Sequence, residues 1–300
     1  MALQARTDRR RSAALVVLLL LYMVGRALQL FAGRVPNIVI VVFHVVPPAV
    51  FVLIHGNRIY GRRAIFVFTA LCLGVATVFE LLSLRTGFPF GHYEFTNLMG
   101  PKLFGLPLLL ALAYLGMAYL SWVIALLILD CQHRHLSVRE VLLLPLVASF
   151  AMGAWDLSMD PVWAYIDHGW IWRDGGLYYG VPISNFFGWF LTVYTFYQLF
   201  ALYIRNRPAS SHMTDLRLPI LFYAASALGN LLVTVPSFFP KTFVDGSGRV
   251  WFFSEILWAC RFVSIFLMLP LCILAWVRTS RSAVRGKNEP MLSEEPSLST

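Results

Sequence analysis

The sequence of 300 residues predicts an all-α fold: a polytopic membrane helix bundle with about eight transmembrane helices and both termini in the cytoplasm. The composition predicts this class, because 59% of the residues are hydrophobic and only 13% are charged, with a mean hydropathy of +0.71. Soluble domains contain about 45–50% apolar and about 25% charged residues. The spacing of the apolar stretches and the distribution of basic residues support the same class.

Apolar stretches long enough to cross about 30 Å of hydrocarbon follow one another along the chain. The predicted spans are Ala13–Ala32, Asn37–His55, Ala64–Leu84, Leu103–Leu129, Val138–Met159, Asn185–Ile204, Arg217–Pro236 and Phe253–Val277. We expect residues 1–278 to form a single integral membrane domain. The polar segment 279–300 is predicted to be a disordered cytoplasmic tail, since it is rich in Ser, Glu, Pro and Arg and poor in apolar residues.

The lysines and arginines determine the predicted orientation. With eight spans and a cytoplasmic N-terminus, 16 of the 24 basic residues lie in inner segments and 6 in outer loops. This bias agrees with the positive-inside rule. The net charge of +9 therefore orients a multi-pass protein of the cell membrane, with the lipid bilayer as its environment and no nucleic acid as a partner.

Three carboxyl side chains are predicted at the outer ends of spans. Glu80 lies in the last turn of the third span, and Asp156 and Asp160 lie one helical turn apart at the end of the fifth. A carboxylate in a span costs about 2.5–3.5 kcal/mol on insertion scales, so an acid there is a candidate functional residue. Because Pro161 follows directly, we expect the fifth helix to end at Asp160.

The predicted surroundings of these acids favour their protonated form. A helix C-terminus carries partial negative charge, and burial and a like-charged neighbour also oppose ionisation. A carboxyl that keeps its proton near neutral pH can act as a general acid. In the alternative interpretation, the acids pair with a loop arginine such as Arg85 or Arg173 and have a structural role only.

The loops after the third and fifth spans are dense in aromatic residues, which suggests a pocket for an extended apolar ligand. The aromatic candidates are Phe90, Tyr93, Trp155, Trp163, Tyr178 and Tyr179. Aromatic faces can also stabilise a cation. The alternative is an ordinary aromatic belt at the membrane interface.

Several chemistries lack their motifs. The seven histidines form no cluster typical of a membrane di-iron enzyme, and there is neither a Walker A sequence nor a dinucleotide-binding G-x-G-x-x-G unit. We therefore expect no cofactor and no metal.

Long motifs in the middle of the chain resemble a known family. They are FELLSLRTGFPFGHYEFTNLMGPKLFGLP (Phe79–Pro107), AWDLSMDP (Ala154–Pro161) and GGLYYGVPISNFFGWF (Gly175–Phe190). These segments are similar to carotenoid-biosynthesis membrane proteins, a family that includes bisanhydrobacterioruberin and γ-carotene hydratases. The resemblance implies a long apolar carotenoid substrate and addition of water across the terminal double bond of its acyclic end group, which gives a tertiary alcohol.

The residues suit such a reaction, because protonating an alkene needs an acid, a cation-tolerant lining and a positioned water. Our hypothesis is that Asp156 protonates the alkene, and that Asp160 or Glu80 orients the water and accepts its proton. Asn185 would hold the water by hydrogen bonds, and Tyr93, Trp155 and Tyr179 would line the cation.

Two other functions fit the same sequence. The D-x-x-x-D of Asp156 and Asp160 could hold Mg²⁺ and a diphosphate in a membrane prenyltransferase, since oxygen ligands suit this ion. A non-catalytic carotenoid-binding or assembly protein would use the aromatic pocket without chemistry, with other carotenoid-pathway enzymes as partners.

Overall fold

The computed structural model describes residues 2–132, 135–207, 215–235 and 239–288. Nine α-helices lie in these residues: α1 Ala2–Leu28, α2 Asn37–Phe51, α3 Asn57–Thr86, α4 Leu108–Ile128, α5 Val138–Tyr165, α6 Ile183–Ile204, α7 Arg217–Asn230, α8 Phe253–Val263 and α9 Leu269–Asn288. Six short strands lie between helices: β1 Tyr93–Phe95, β2 Lys102–Leu103, β3 Leu106–Pro107, β4 Trp170–Trp172, β5 Thr242–Val244 and β6 Val250–Phe252.

Six helical stretches of the described chain are long and apolar enough to cross a membrane. They are Arg10–Phe31, Asn37–Thr86, Leu108–Ile128, Val138–Tyr165, Ile183–Ile204 and Phe253–Ser280. The predicted all-α membrane bundle is confirmed. The stretch Asn37–Thr86 is interrupted at Gly61. The backbone angles of this glycine (φ 80°, ψ 164°) are not helical, and its positive φ favours glycine. Each half, 37–60 and 62–86, is about 36–38 Å long at 1.5 Å per residue, which is enough for one crossing.

The seventh predicted span is shorter in the structure than the sequence suggests. Helix α7 has 14 residues and ends at Asn230, where a turn follows. Its length of about 21 Å is less than the hydrocarbon thickness, so the count of eight crossings stays a prediction. Residues 279–288 of the predicted tail belong to helix α9. Pro236, the predicted end of the seventh span, and residues 289–300 lie outside the described residues, and the disorder of the last segment stays a prediction.

The prediction that the fifth helix ends at Asp160 is wrong. Helix α5 continues through Pro161 to Tyr165. A proline inside a helix leaves the carbonyl four residues earlier without its N–H partner, here the carbonyl of Leu157. The hydroxyl of Tyr178 donates to that oxygen at 3.0 Å. Asp156 and Asp160 therefore lie before the last turn, where the negative end of the helix has little effect.

Two loops that the sequence predicts on the outer side are joined by backbone hydrogen bonds. Strand β1, after α3, pairs antiparallel with β4, after α5, with Tyr93 opposite Trp172 and Phe95 opposite Trp170. Successive side chains on a strand alternate between two faces. Thus Tyr93 and both tryptophans are buried on one face, whereas Ile171 is exposed. The pairing closes an aromatic cap over the ends of α3 and α5.

Helix α4 lies in the centre of the bundle. Leu120 and Ile124 point to one side of this helix and Trp122 to the opposite side, and all three are completely buried. A helix that is apolar on all sides is expected to be surrounded by other elements. Helices α2 and α5 both pack against it.

Candidate active site

Six helices and strands bring the predicted acids together. The described lining of one small buried cavity contains Glu80, Phe90, Tyr93, Phe95, Tyr114, Asp156, Met159, Asp160, Trp170, Trp172, Asn185 and Trp189. Helix α3 supplies Glu80, and α5 supplies Asp156 and Asp160, which share a helix face because they are four residues apart. The loop motifs that follow α3 and α5 thus meet at one place.

Asp160 is held by three N–H donors. The indole nitrogens Nε1 of Trp170 and Trp172 donate to its Oδ1 at 3.1 and 3.2 Å, and Nδ2 of Asn185 donates to its Oδ2 at 2.6 Å. The side chain is 2% exposed. N–H donors that point at a carboxyl group stabilise its charged form and fix its orientation. This environment suits a group that receives a proton.

Glu80 is held by two tyrosine hydroxyls. Tyr114 donates to Oε1 at 3.0 Å, and Tyr93 donates to Oε2. Burial and the neighbouring Glu80 carboxyl raise the pKa of Tyr93 above its usual range. The Tyr93 hydroxyl therefore keeps its proton and remains a donor to Glu80.

Asp156 differs from the other two acids. It is 4% exposed, and its Oδ2 has no hydrogen-bond partner among the described residues. Burying an ionised carboxylate without donors is costly, whereas a carboxylic acid can be buried more cheaply. Of the three, Asp156 has the oxygen that is free to face a ligand.

The predicted alternative partners of these acids lie elsewhere. The Arg173 guanidinium pairs with Glu94 at 2.7 Å on the exposed side of the β1–β4 cap, not with the aspartates. Another outer acid, Glu255, is exposed and accepts the backbone N–H of Phe252 at 3.1 Å, where it caps the start of α8. Glu255 has the structural role that its position at a helix start suggests.

The cavity between the acids is small. Its volume is about 20 Å³. A buried water molecule needs about 10–15 Å³ of such a cavity and two to four polar partners. One water therefore fits among the three carboxyl groups. The aromatic side chains around it are tightly packed: the rings of Phe90 and Trp189 are stacked, with their centroids 4.8 Å apart.

The predicted ligand-binding residues divide into three groups. Phe90, Tyr93 and Asn185 lie at the cavity, although the Asn185 amide donates to Asp160. Trp155 and Trp163 line neighbouring apolar spaces. Tyr178 and Tyr179 do not line the cavity. Tyr178 completes helix α5, as described above, and Tyr179 packs edge-on against Trp251.

Six lining residues are not among the candidates named from the sequence: Phe95, Tyr114, Met159, Trp170, Trp172 and Trp189. Tyr114 and Trp189 lie in the second turns of the long apolar helices α4 and α6, near the helix ends that face the acids. A polar aromatic residue there is also what an interfacial belt contains, so the sequence offers no specific signal. Met159 lies between the two aspartates and could have been inferred only from the continuation of α5.

Two further cavities share Met159 with the acid cavity. An apolar one of about 10 Å³ and a larger one of about 80 Å³ share Trp155, Met159 and Trp163 as walls. Met159 also lines the acid cavity. An unbranched methionine side chain adapts its shape easily, so Met159 is a flexible partition between the three spaces.

The larger cavity has a polar end formed by Arg26, His44 and Asp167. Arg26 is 8% exposed and donates from Nη2 to Asn230 Oδ1 and to the Ser226 carbonyl. Burial raises the pKa of Asp167 to about 6, and the Arg26 charge opposes this shift. This cluster joins α1 to α7 and to the segment after α5.

Comparison with known proteins identifies the family. A family model described as "Carotenoid biosynthesis protein" matches residues 33–244, more than two thirds of the chain. The chain belongs to the carotenoid biosynthesis protein family. The matched region contains every residue of the acid cavity. The protein is an integral membrane protein of carotenoid biosynthesis, and the resemblance inferred from the motifs is confirmed.

One curated protein is similar over part of its length. It is named bisanhydrobacterioruberin hydratase, comes from Haloarcula japonica, and is 32% identical over 132 residues. The aligned region is 44% of this chain and 42% of that protein, so the similarity covers less than half of the relative. No solved structure matches this chain.

The prenyltransferase alternative requires oxygen ligands that can hold Mg²⁺. In the described part of the chain, no group of three or more His, Cys, Asp or Glu side chains is arranged to hold a metal ion. Both oxygens of Asp160 accept hydrogen bonds from N–H groups. The positive ends of these N–H groups would repel a metal ion at the same oxygens. The arrangement of these donors does not favour a magnesium diphosphate site.

Proposed function

We propose that this protein adds water to the terminal double bond of an acyclic carotenoid end group, which gives a tertiary alcohol. The observation that carries the proposal is the buried cavity with room for one water among three carboxyl groups and an aromatic lining. Family membership and the partial similarity to a protein named as a hydratase support the same reaction class.

Asp156 is the proposed acid. Its unpartnered Oδ2 supports this role, because an oxygen that no protein donor occupies can carry a proton and present it to an alkene. Transfer of that proton breaks the O–H bond of Asp156 and forms a C–H bond at the terminal alkene. The positive charge develops on the adjacent tertiary carbon, where the rings of Tyr93 and Trp189 can stabilise it.

Asp160 is the proposed proton acceptor, with Glu80 as the second candidate. The three N–H donors favour its carboxylate form and aim it at the cavity. The oxygen of the single water forms a C–O bond with the cation, and one of its protons passes to Asp160. A proton then returns from Asp160 to Asp156 on the same helix face. The net reaction is the addition of one water and needs no cofactor.

The polyene chain needs a longer path than the acid cavity provides. The cavities that share Met159, with Trp155 and Trp163 as walls, offer one if the Met159 side chain moves. In this arrangement Trp155 and Trp163 contact the chain, while the end group lies at the acids. The predicted contacts of Tyr178 and Tyr179 with substrate are not part of the proposal.

Co-expression in a carotenoid-producing bacterial host tests the function. With an acyclic carotenoid that has unmodified ends, we expect the extracted pigment to gain the mass of one water per reacted end, and growth in H₂¹⁸O to place the label in the product. Pigment that co-purifies with unchanged mass would instead indicate the carrier function. Release of diphosphate in a magnesium-dependent reaction would indicate prenyl transfer.

A further inference from the structure

A further cavity lies at the inner boundary of the predicted topology, opposite to the boundary of the acids. It has a volume of about 350 Å³ and is lined by Arg10, Arg11, Ala14, Leu53, Ile54, Asn57 and Arg58. Two helices contribute to it: the beginning of α1, and the segment where α2 leads into α3. Neither belongs to the catalytic proposal.

The depth of this cavity matches the headgroup region of a bilayer. Arg10 is the first residue of the apolar stretch Arg10–Phe31. Asn57 and Arg58 lie close to Gly61, where the direction of the long helical stretch changes. Both elements therefore pass from polar to apolar sequence at the cavity. Beneath the arginines, the side chain of Leu53 is 51% exposed and would face lipid chains.

The charge of the cavity is positive and partly fixed in position. Arg58 pairs with Asp215 at 2.7 Å, and its Nη1 also donates to Ser12 at 3.1 Å. These contacts hold the guanidinium at the wall of the cavity and neutralise one charge. Arg10 and Arg11 are exposed and add two further positive charges.

We propose that this cavity binds the headgroup of an anionic phospholipid. Guanidinium groups bind phosphate oxygens with paired hydrogen bonds, and basic pockets between membrane helices recognise anionic headgroups. The acyl chains would lie along Ala14, Leu53 and Ile54. A phospholipid fits this combination better than a free anion, because the arginines border an exposed apolar surface at the correct depth. The lipid would clamp α1 against the α2–α3 turn.

Native mass spectrometry of the purified full-length protein tests the site. Phosphatidylglycerol is titrated against phosphatidylcholine, and glycerol phosphate serves as the soluble headgroup. We expect the wild type to retain phosphatidylglycerol selectively, and the double variant Arg10→Gln/Arg11→Gln to bind it about tenfold or more weakly, since each interfacial arginine contributes to attraction of anionic lipid.

The matched control is Arg205→Gln/Arg207→Gln, which removes two exposed arginines from another inner segment. This control should retain the lipid like the wild type. Equal loss in both double variants would overturn the site in favour of general surface charge. Equal retention of phosphatidylcholine, or full competition by glycerol phosphate, would overturn the proposed lipid. The readout is independent of hydration, so failure of one proposal leaves the other intact.

Discussion

The hydroxyl of Tyr178 donates to the carbonyl of Leu157, the one helical oxygen of α5 that Pro161 leaves without an N–H partner. An unpaired buried carbonyl would otherwise cost about 1–3 kcal/mol. The loop after α5 thus supplies the hydrogen-bond donor that this carbonyl lacks within the helix. Because the carbonyl is satisfied, α5 continues, and Asp160 has a regular helical position on the same face as Asp156.

Replacing Tyr178 by Phe should therefore destabilise the protein by about 1–2 kcal/mol, because the Leu157 carbonyl loses its donor while the ring is retained. Thermal unfolding in detergent measures the change. The control is Tyr179→Phe, which removes a hydroxyl for which the structure gives no hydrogen bond within the described residues. Equal unfolding temperatures for the two variants would contradict the assigned role of Tyr178.

Asp156→Asn should lower the hydration rate by about 100-fold or more, because an amide cannot supply the proton that general acid catalysis requires. Product formation is measured by chromatography of pigments from the co-expression host. Asp174→Asn is the matched control: Asp174 is an exposed outer-loop acid that pairs with His92 at 2.7 Å. Full activity of the Asp156 variant would eliminate it as the acid.

Trp172→Phe should lower hydration about tenfold, because Asp160 loses one of its charge-stabilising N–H donors while an aromatic ring remains beside Tyr93. A useful comparison is Trp251→Phe, which removes an equivalent indole donor to Asp245 at 2.8 Å in the β5–β6 hairpin. That variant should keep its activity. If both variants lost activity equally, the effect would reflect general packing of the outer loops.

Gly188→Ala should displace the loop that carries Phe90. A Cβ at this position would lie 2.7 Å from Phe90 Cδ1 and 3.0 Å from the backbone carbon of Pro89. We expect lower thermal stability and reduced hydration. Gly74→Ala on α3 meets nothing within 4 Å, so it should be neutral or stabilising by up to about 1 kcal/mol. Wild-type stability of the Gly188 variant would show that the loop approaches α6 less closely.

Asp167 should make stability depend on pH. Its pKa is raised by burial from 3.8 to about 6. For an acid with a raised pKa, ionisation costs more in the folded state, so stability falls as pH rises from about 4 to 6 and then stays constant. Asp167→Asn should therefore raise the unfolding temperature more at pH 8 than at pH 5. An equal effect at both values would show that Asp167 titrates normally.

The outer loops illustrate where sequence reasoning stops. The acids Glu80, Asp156 and Asp160 could be selected from the cost of a carboxyl group in an apolar span, and the structure does bring all three together. The sequence also predicts Asn185 as a site residue, but the two tryptophan donors to Asp160 could not be selected, because they depend on the antiparallel pairing of β1 with β4. That pairing joins segments separated by more than 70 residues, and three-residue strands give almost no pattern.

The wrong prediction for α5 has the same origin. The effect of a proline on its own segment predicts that the helix ends near Pro161. This prediction fails when another group donates a hydrogen bond to the carbonyl that the proline leaves unpaired. Tyr178 supplies that group from 21 positions along the chain. A residue that the sequence suggested as a substrate contact is therefore a helix-completing residue, and only its position in space reveals this.

By itself the sequence determined that this protein lies in a membrane, which family motifs it carries, and which acids are costly enough in a span to be candidate functional residues. These properties follow from composition and local order, because burial in lipid acts on each segment separately. The tertiary structure decided which acid has an unpartnered oxygen, which acid is held by three donors, and that one water fits between them. Those properties depend on hydrogen bonds and packing between distant segments, which no single segment encodes.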